Sequence, residues 1–330
     1  MALAGTPRRL SARQFATAAT ALALAAAATG CMTVDGEKAR VPGLSKSEAA
    51  QVLVDFDARN NQVWATRDAE LNALNETGSF GAIDTAALRI KNFTDPRQTK
   101  PSVPFTHDKP QFWIPRPVGW PKWFAVQNTP SYTNARTMLL VFTKENPDAP
   151  WKAAWGPSLR PGESFPEPHR DAKGYVTAVP LDEAGLVAAP KDTAGVLTGY
   201  LADGKASADL LTPSAITQEL RKPREEPVQD GFVRQFVDAP ATQFPPLAIR
   251  TKDGGALVLL TATHSMKLTV QPPNTLGEVE AHQQAFLSRK PERSVTEHRL
   301  AEYAVVVPKA GQGRIKVVAS ASGVIGADGE

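Results

Sequence analysis

Few residues in this chain have the type and spacing to do chemistry. The five histidines are His107, His169, His264, His282 and His298. None stands at i,i+4 or in an H-x-H pair, the spacings that bring two imidazoles to one metal. There is no GxSxG elbow, no SxxK pair and no glycine-rich phosphate loop, so the sequence offers neither an activated serine nor a phosphate cradle by motif. His264 stands out because it shares parity with Ala256, Val258, Leu260 and Ala262 in an alternating run. It reads first as a core histidine held by hydrogen bonds. The alternative is a pocket base in an enzyme, paired with a carboxylate that spacing does not identify. No catalytic residue, metal or cofactor is assigned from the sequence.

The single cysteine, Cys31, has a clearer meaning. Arg8, Arg9 and Arg13 open the chain, with no acidic residue before Asp35. An alanine-rich run from Ala16 to Ala28 follows. A basic start, a short apolar stretch and then small residues is the layout of a secretory signal. The run is too short for a membrane-spanning helix, which needs about 20 residues. Ala28-Thr29-Gly30-Cys31 resembles the lipobox of bacterial lipoproteins. That resemblance implies cleavage between Gly30 and Cys31, a diacylglyceryl thioether on Cys31 with palmitate-type chains, and a protein anchored on the extracytoplasmic side of the cell membrane. Two acyl chains give stable attachment where one is marginal. The twin arginine leaves the export route open between the general and the folded-protein pathways.

Charge then excludes some partners. The chain carries 37 Lys and Arg against 34 Asp and Glu, and three of the arginines belong to the signal. The mature part is therefore balanced at 34 of each, a mixed surface that argues against nucleic acid. The segment Phe112 to Phe124 is the most unusual stretch, FWIPRPVGWPKWF. Trp113 and Trp123 read as inward core residues on strands joined by a rigid proline loop. The functional alternative is an exposed ridge of Trp113, Arg116, Trp120 and Trp123 that meets a glycan, an envelope protein or the membrane surface.

The elements that must position these residues can be traced along the mature chain. Residues 31–44 are polar and read as a tether. Ser45-Lys46-Ser47-Glu48 is a capping box that starts a helical pattern over 46–76, which Gly78 is expected to stop. Asn60 and Arg67 fall beside its apolar stripe and read as a half-exposed flank, with a pocket lining as the alternative. Strands are predicted at 112–114, 123–126, 138–143, 151–155 and 175–179. Residues 181–192 look like a boundary. Helices follow at 193–201 and 214–221, the second capped by Thr212 with Pro213 in its first turn. Strands come next at 231–238 and 246–251. Asp253-Gly254-Gly255 is the best hairpin turn, heading a period-two strand of about fifteen residues. A helix over 275–288 and a final hairpin of 299–307 with 314–320 complete the reading.

Helix first and antiparallel strands after, twice, predicts an α+β fold. Two tandem units are expected, at 45–182 and 183–330, each with its helices on a curved antiparallel sheet. In element order this resembles the cone-shaped nuclear transport factor 2-like superfamily. Glu76-Thr77-Gly78, the aromatic segment and Gly254-Gly255-Ala256 together resemble uncharacterised lipoproteins of actinobacteria. The expected role is a non-catalytic binding or interaction module of the cell envelope, with an unidentified envelope protein or glycan as partner.

Overall fold

A computed structural model describes residues 40–330. The signal, Gly30, Cys31 and most of the tether lie outside the described residues. No helix among those described is long and apolar enough to cross a membrane.

Three helices come first: α1 (Lys46–Thr66), α2 (Ala69–Asn75) and α3 (Gly78–Thr94). The capping box forms as expected, with Ser45 Oγ accepting from the Glu48 amide and Glu48 reaching back to the Ser45 amide. Arg67 ends α1 in the left-handed region at φ 56°. Its side chain is buried, donating to the Lys91 carbonyl and to Asp95. The expected stop at Gly78 is corrected: Gly78, at φ +62°, opens α3 instead. Its left-handed backbone turns the chain out of the preceding extended residue, and Thr77 and Gly78 then lead into a third helix.

Ten strands form one antiparallel sheet. β1 (His107–Trp113), β2 (Lys122–Pro130), β3 (Met138–Lys144), β4 (Lys152–Trp155) and β5 (Ser158–Leu159) come from the first half of the chain. After α4 (Thr193–Asp203) and α5 (Ala215–Glu225) come β6 (Phe232–Pro240), β7 (Leu247–Arg250), β8 (Ala256–Val270), the short α6 (Ala281–Gln284), β9 (Ser294–Val307) and β10 (Lys316–Gly329). The order is β1-β2-β3-β5-β10-β9-β8-β6, with β4 beside β3 and β7 beside β8. The α+β class is as expected. The tandem arrangement is not confirmed: β5 pairs with β10, so strands from both halves share a single sheet.

Two segments depart from expectation for local reasons. Residues 275–288 form only the one-turn α6, because Leu276 and Val279 reach the core beside Val270 and Val295 from extended chain. The cap of α5 is Ser214 rather than Thr212, with the Thr217 hydroxyl accepting from the Ser214 amide at 2.8 Å.

Three large cores pack on the sheet besides the small one at Val270 and Val295. One face carries two runs of cross-strand neighbours, Trp113, Ala125 and Val141, then Leu159, Ala319, Ala304 and Leu259. The other face is covered at one end by α1, through Ala49, Leu53 and Phe56 against Phe124 and Phe142. At its other end α4 and α5 supply Leu197, Leu201 and Ile216 against Val258, Leu260 and Tyr303. The first half of β8 is thus buried on both faces, so both of its parities are apolar until Thr261. The predicted 175–179 strand closes the sheet on itself. Val176 bridges Pro115 and Ala178 bridges Ile249, joining the end of β1 to β7.

Candidate functional site

His264 sits on the covered face of β8, directly across the ladder from Asp238 of β6. Its Nδ1 is 2.6 Å from Asp238 Oδ1 and its Nε2 is 2.8 Å from the Tyr303 hydroxyl. Arg224 of α5 grips the same carboxylate with Nη2 at 2.5 Å and Nε at 3.1 Å. Burial pushes the Asp238 carboxyl up, but hydrogen bonds from His264 and Arg224 outweigh it and hold the group below the ordinary range. Burial, and then the Asp238 charge, raise the Tyr303 phenol, so it stays protonated. The Tyr303 hydroxyl and the Asp238 carboxylate thus engage the two ring nitrogens of His264 from opposite sides.

This arrangement names the carboxylate that sequence spacing left open. It also defines what His264 can do. Both ring nitrogens are engaged within the protein, and the residue is only 8 % exposed. A general base must present a nitrogen to the proton it takes. Here the imidazole ties α5, β6, β8 and β9 together. The cleft beside it, about 380 Å³, is lined by Phe236, Met266 and Leu220 with Arg160, Arg234 and Arg299. Arg160 pairs with Glu219 and Arg299 with Glu297 at its rim.

The aromatic segment divides by burial. Trp113 and Trp123 are 2 % and 5 % exposed and belong to the inner core, because the strand parity of β1 and β2 turns them inward. The two indoles are inward as first read, and the alternative of a ridge that includes them is corrected, since neither ring has a face left to offer a partner. Arg116 pairs with Asp171 and lies over the Tyr175 ring. Trp120 alone of the four residues is an exposed ring, at 42 %, with Val118 and Val41 exposed nearby. Arg40 bridges Val118, so this apolar edge stands where the described chain begins.

Sequence reasoning missed two buried groups. Asp57 of α1 accepts from the His107 amide at 2.9 Å and pairs with His107 Nδ1 at 2.5 Å. Glu302 of β9 accepts from Ser79 Oγ at 2.7 Å and from the Gly156 amide at 2.8 Å. Burial pushes its carboxyl up to about 8. Asp57 carried a signal, since it follows Phe56 on the apolar stripe. Glu302 carried one too, as an acid among Leu300, Ala301 and Tyr303. His169, His282 and His298 each bond a nearby side chain, Thr177, Glu297 and Asp328 respectively. Among the described residues no three His, Cys, Asp or Glu side chains converge as metal ligands.

Sequence similarity to known proteins runs along the described chain. Residues 40–329 match the model of a domain of unknown function, DUF8094. An uncharacterised lipoprotein of Streptomyces coelicolor is 32 % identical over 96 % of this chain and 97 % of its own. An uncharacterised lipoprotein of Streptomyces avermitilis is 31 % identical, covering 95 % and 94 %. A second S. coelicolor lipoprotein is 25 % identical over 88 % of each chain. No solved structure matches, and the likeness to the nuclear transport factor 2 fold is not shown. With its described residues matched almost from end to end, the chain belongs to the DUF8094 family, alongside lipoproteins of Streptomyces.

Proposed function

We propose that this protein is an envelope lipoprotein, held on the extracytoplasmic side of the membrane by lipid on Cys31, that acts by binding rather than by catalysis. The single observation that carries the binding reading is the closure of the His264 network. The histidine beside the larger cleft has both nitrogens occupied, by Asp238 and Tyr303. The cleft then offers apolar, arginine and serine side chains with glutamates already paired to arginine, and its imidazole is bonded on both sides, which suits recognition of an envelope protein or glycan.

The anchor reading rests on the lipobox and on relatives that are lipoproteins. It is supported by where the chain enters the fold. Arg40 is nine residues after Cys31, a distance of at most about 30 Å fully extended. The edge of Val41, Val118 and Trp120 beside Arg40 is therefore within reach of the bilayer, and tryptophan favours the membrane interface.

Labelling with radioactive palmitate in an actinobacterial host tests the anchor. The wild-type chain should take up label and pellet with membranes, and Cys31→Ala should do neither. External protease should reach the anchored protein on protoplasts. Label on the Cys31→Ala chain, or full protection from protease, would overturn the assignment. Replacing His264 by Gln tests the binding reading. The variant should keep any cleft ligand that co-purifies, detected by native mass spectrometry. Turnover by the wild type that vanishes in a folded His264→Gln variant would favour an enzyme using His264 and Asp238.

A further inference from the structure

A second cavity, of about 270 Å³, opens between α1, α3 and the edge of the sheet. Its walls are aromatic: Phe56, Trp64, Phe80, Phe105 and Tyr132. Four polar side chains line it with them, Asn60, Asp84, His107 and Ser158. Asn60 is 4 % exposed and its Oδ1 has no hydrogen-bond partner. Among the described residues no Lys or Arg bridges Asp84, and no cationic side chain other than His107 lines the cavity. That imidazole is turned to Asp57 through Nδ1 and sits edge-on to Phe105. Phe105 is itself pinned from α1, its amide donating to Asn61 Oδ1 and its carbonyl accepting from Asn61 Nδ2. Tyr132 packs edge-on to Phe105 and is half exposed, so the cavity has a mouth.

The chemistry of the walls selects the ligand. A carboxylate and an orphaned amide oxygen are both acceptors, and a buried acceptor left unpaired costs about 1–3 kcal/mol. An apolar guest leaves the Asn60 oxygen unpaired and the Asp84 carboxyl without a counter-charge. A hard metal ion needs six or more oxygens, and the aromatic faces supply none. An organic cation satisfies the site on every side. Its charge meets Asp84, its N–H or polarised C–H groups meet Asn60 Oδ1, and ring faces attract it within about 6 Å. The volume lies just below the ~300–1,000 Å³ of sites for drug-sized molecules, which limits the guest to a few heavy atoms.

We infer that this cavity binds a small organic ammonium ion, held by Asp84 and Asn60 inside a cage of Phe56, Trp64, Phe80, Phe105 and Tyr132. Burial pushes the Asp84 carboxyl up to about 7, and its charge in turn helps raise the neighbouring Glu76 and Glu302 carboxyls. The sequence hints at the site only through Asn60, which lies beside the apolar stripe of α1 yet is fully enclosed rather than on a half-exposed flank. The inference deepens the reading of this protein as a binding module and assigns it one class of ligand.

The test uses the full mature lipoprotein in detergent, titrated with choline and tetramethylammonium. 3,3-Dimethylbutanol, the uncharged isostere of choline, is the control. Trp64 lies in the wall, so tryptophan fluorescence reports occupancy, and calorimetry provides a second readout. Saturable binding of both cations is expected, with the alcohol weaker by at least about tenfold. Asp84→Asn removes a buried charge and should fold, with cation affinity lowered at least about tenfold. Tyr132→Ala changes an exposed ring at the mouth and should weaken binding with the melting temperature unchanged. Absence of saturable binding, equal binding of the alcohol, or undiminished affinity in both variants would overturn the inference. None of these failures touches the palmitate label on Cys31, so the anchor reading stands or falls separately.

Discussion

Glu302 keeps its proton at neutral pH. A buried carboxyl near 8 in the fold has an ordinary value near 4.5 once the chain unfolds. Between those values the native state holds one proton more than the unfolded state, so stability falls as pH rises through the interval. The limiting slope for one proton is about 1.4 kcal/mol per pH unit. Burial pushes Glu76 and Asp84 in the same direction, which adds to the trend. Thermal melts from pH 5 to pH 8 should therefore show a falling melting temperature, and Glu302→Gln should flatten the curve. A melting temperature that stays level or climbs would refute the assignment. His264 has its own stability cost. His264→Leu leaves Asp238 and the Tyr303 hydroxyl each short of a buried partner, at about 1–3 kcal/mol for such a loss, and His264→Gln should cost less. Denaturant unfolding of the two variants measures the difference. At this scale the sequence was partly legible. Parity placed His264 on a covered face, but Asp238 is its partner only through the β6–β8 register. A pairing between positions 26 residues apart leaves no local mark.

Elements were readable where local chemistry and packing agree. The capping box of α1, the Asp253-Gly254-Gly255 turn and the alternating run of β8 each carry their own signal, and the structure places each where it was expected. The third helix was missed because a glycine at the end of a periodic segment usually marks a stop. Gly78 instead sits with its Cα facing the Ala154 carbonyl, and an added Cβ would lie 3.1 Å from that oxygen. Gly78→Ala places a side chain in the left-handed region against that carbonyl. It should destabilise the protein by about 1–2 kcal/mol, as read from urea midpoints. An unchanged midpoint would mean that the turn into α3 has room to relax. The fall of 275–288 from helix to extended chain has the opposite origin. Its periodic apolar residues find their core without helical geometry, so tertiary burial overrides the pattern.

For the molecule as a whole, the α+β class was legible because strand and helix periods differ, whereas the topology was not. Antiparallel runs in two blocks suit two small sheets or one large one equally well. The choice is made by β5, a two-residue strand joining β3 to β10 that no periodicity could announce. Polypeptides 45–182 and 183–330 expressed separately should each fail to give cooperative melts, since β8 is covered by α4 and α5 on one face and by the inner core on the other. Independent folding of either piece would contradict the continuity of the sheet. The seam opposite β5 has a further consequence. β8 and β9 are zipped by fourteen paired residues, whereas the seam rests on the two bridges at Val176 and Ala178. On the β1 side the Val176 amide donates to Ile114 as a lone rung, and on the β7 side two rungs form, Arg250 to Thr177 and Val179 to Ala248. Deuterium should therefore enter these amides well before those of β8, and solvent should first reach the Trp113 indole along this line, where the wall of the protein unlatches.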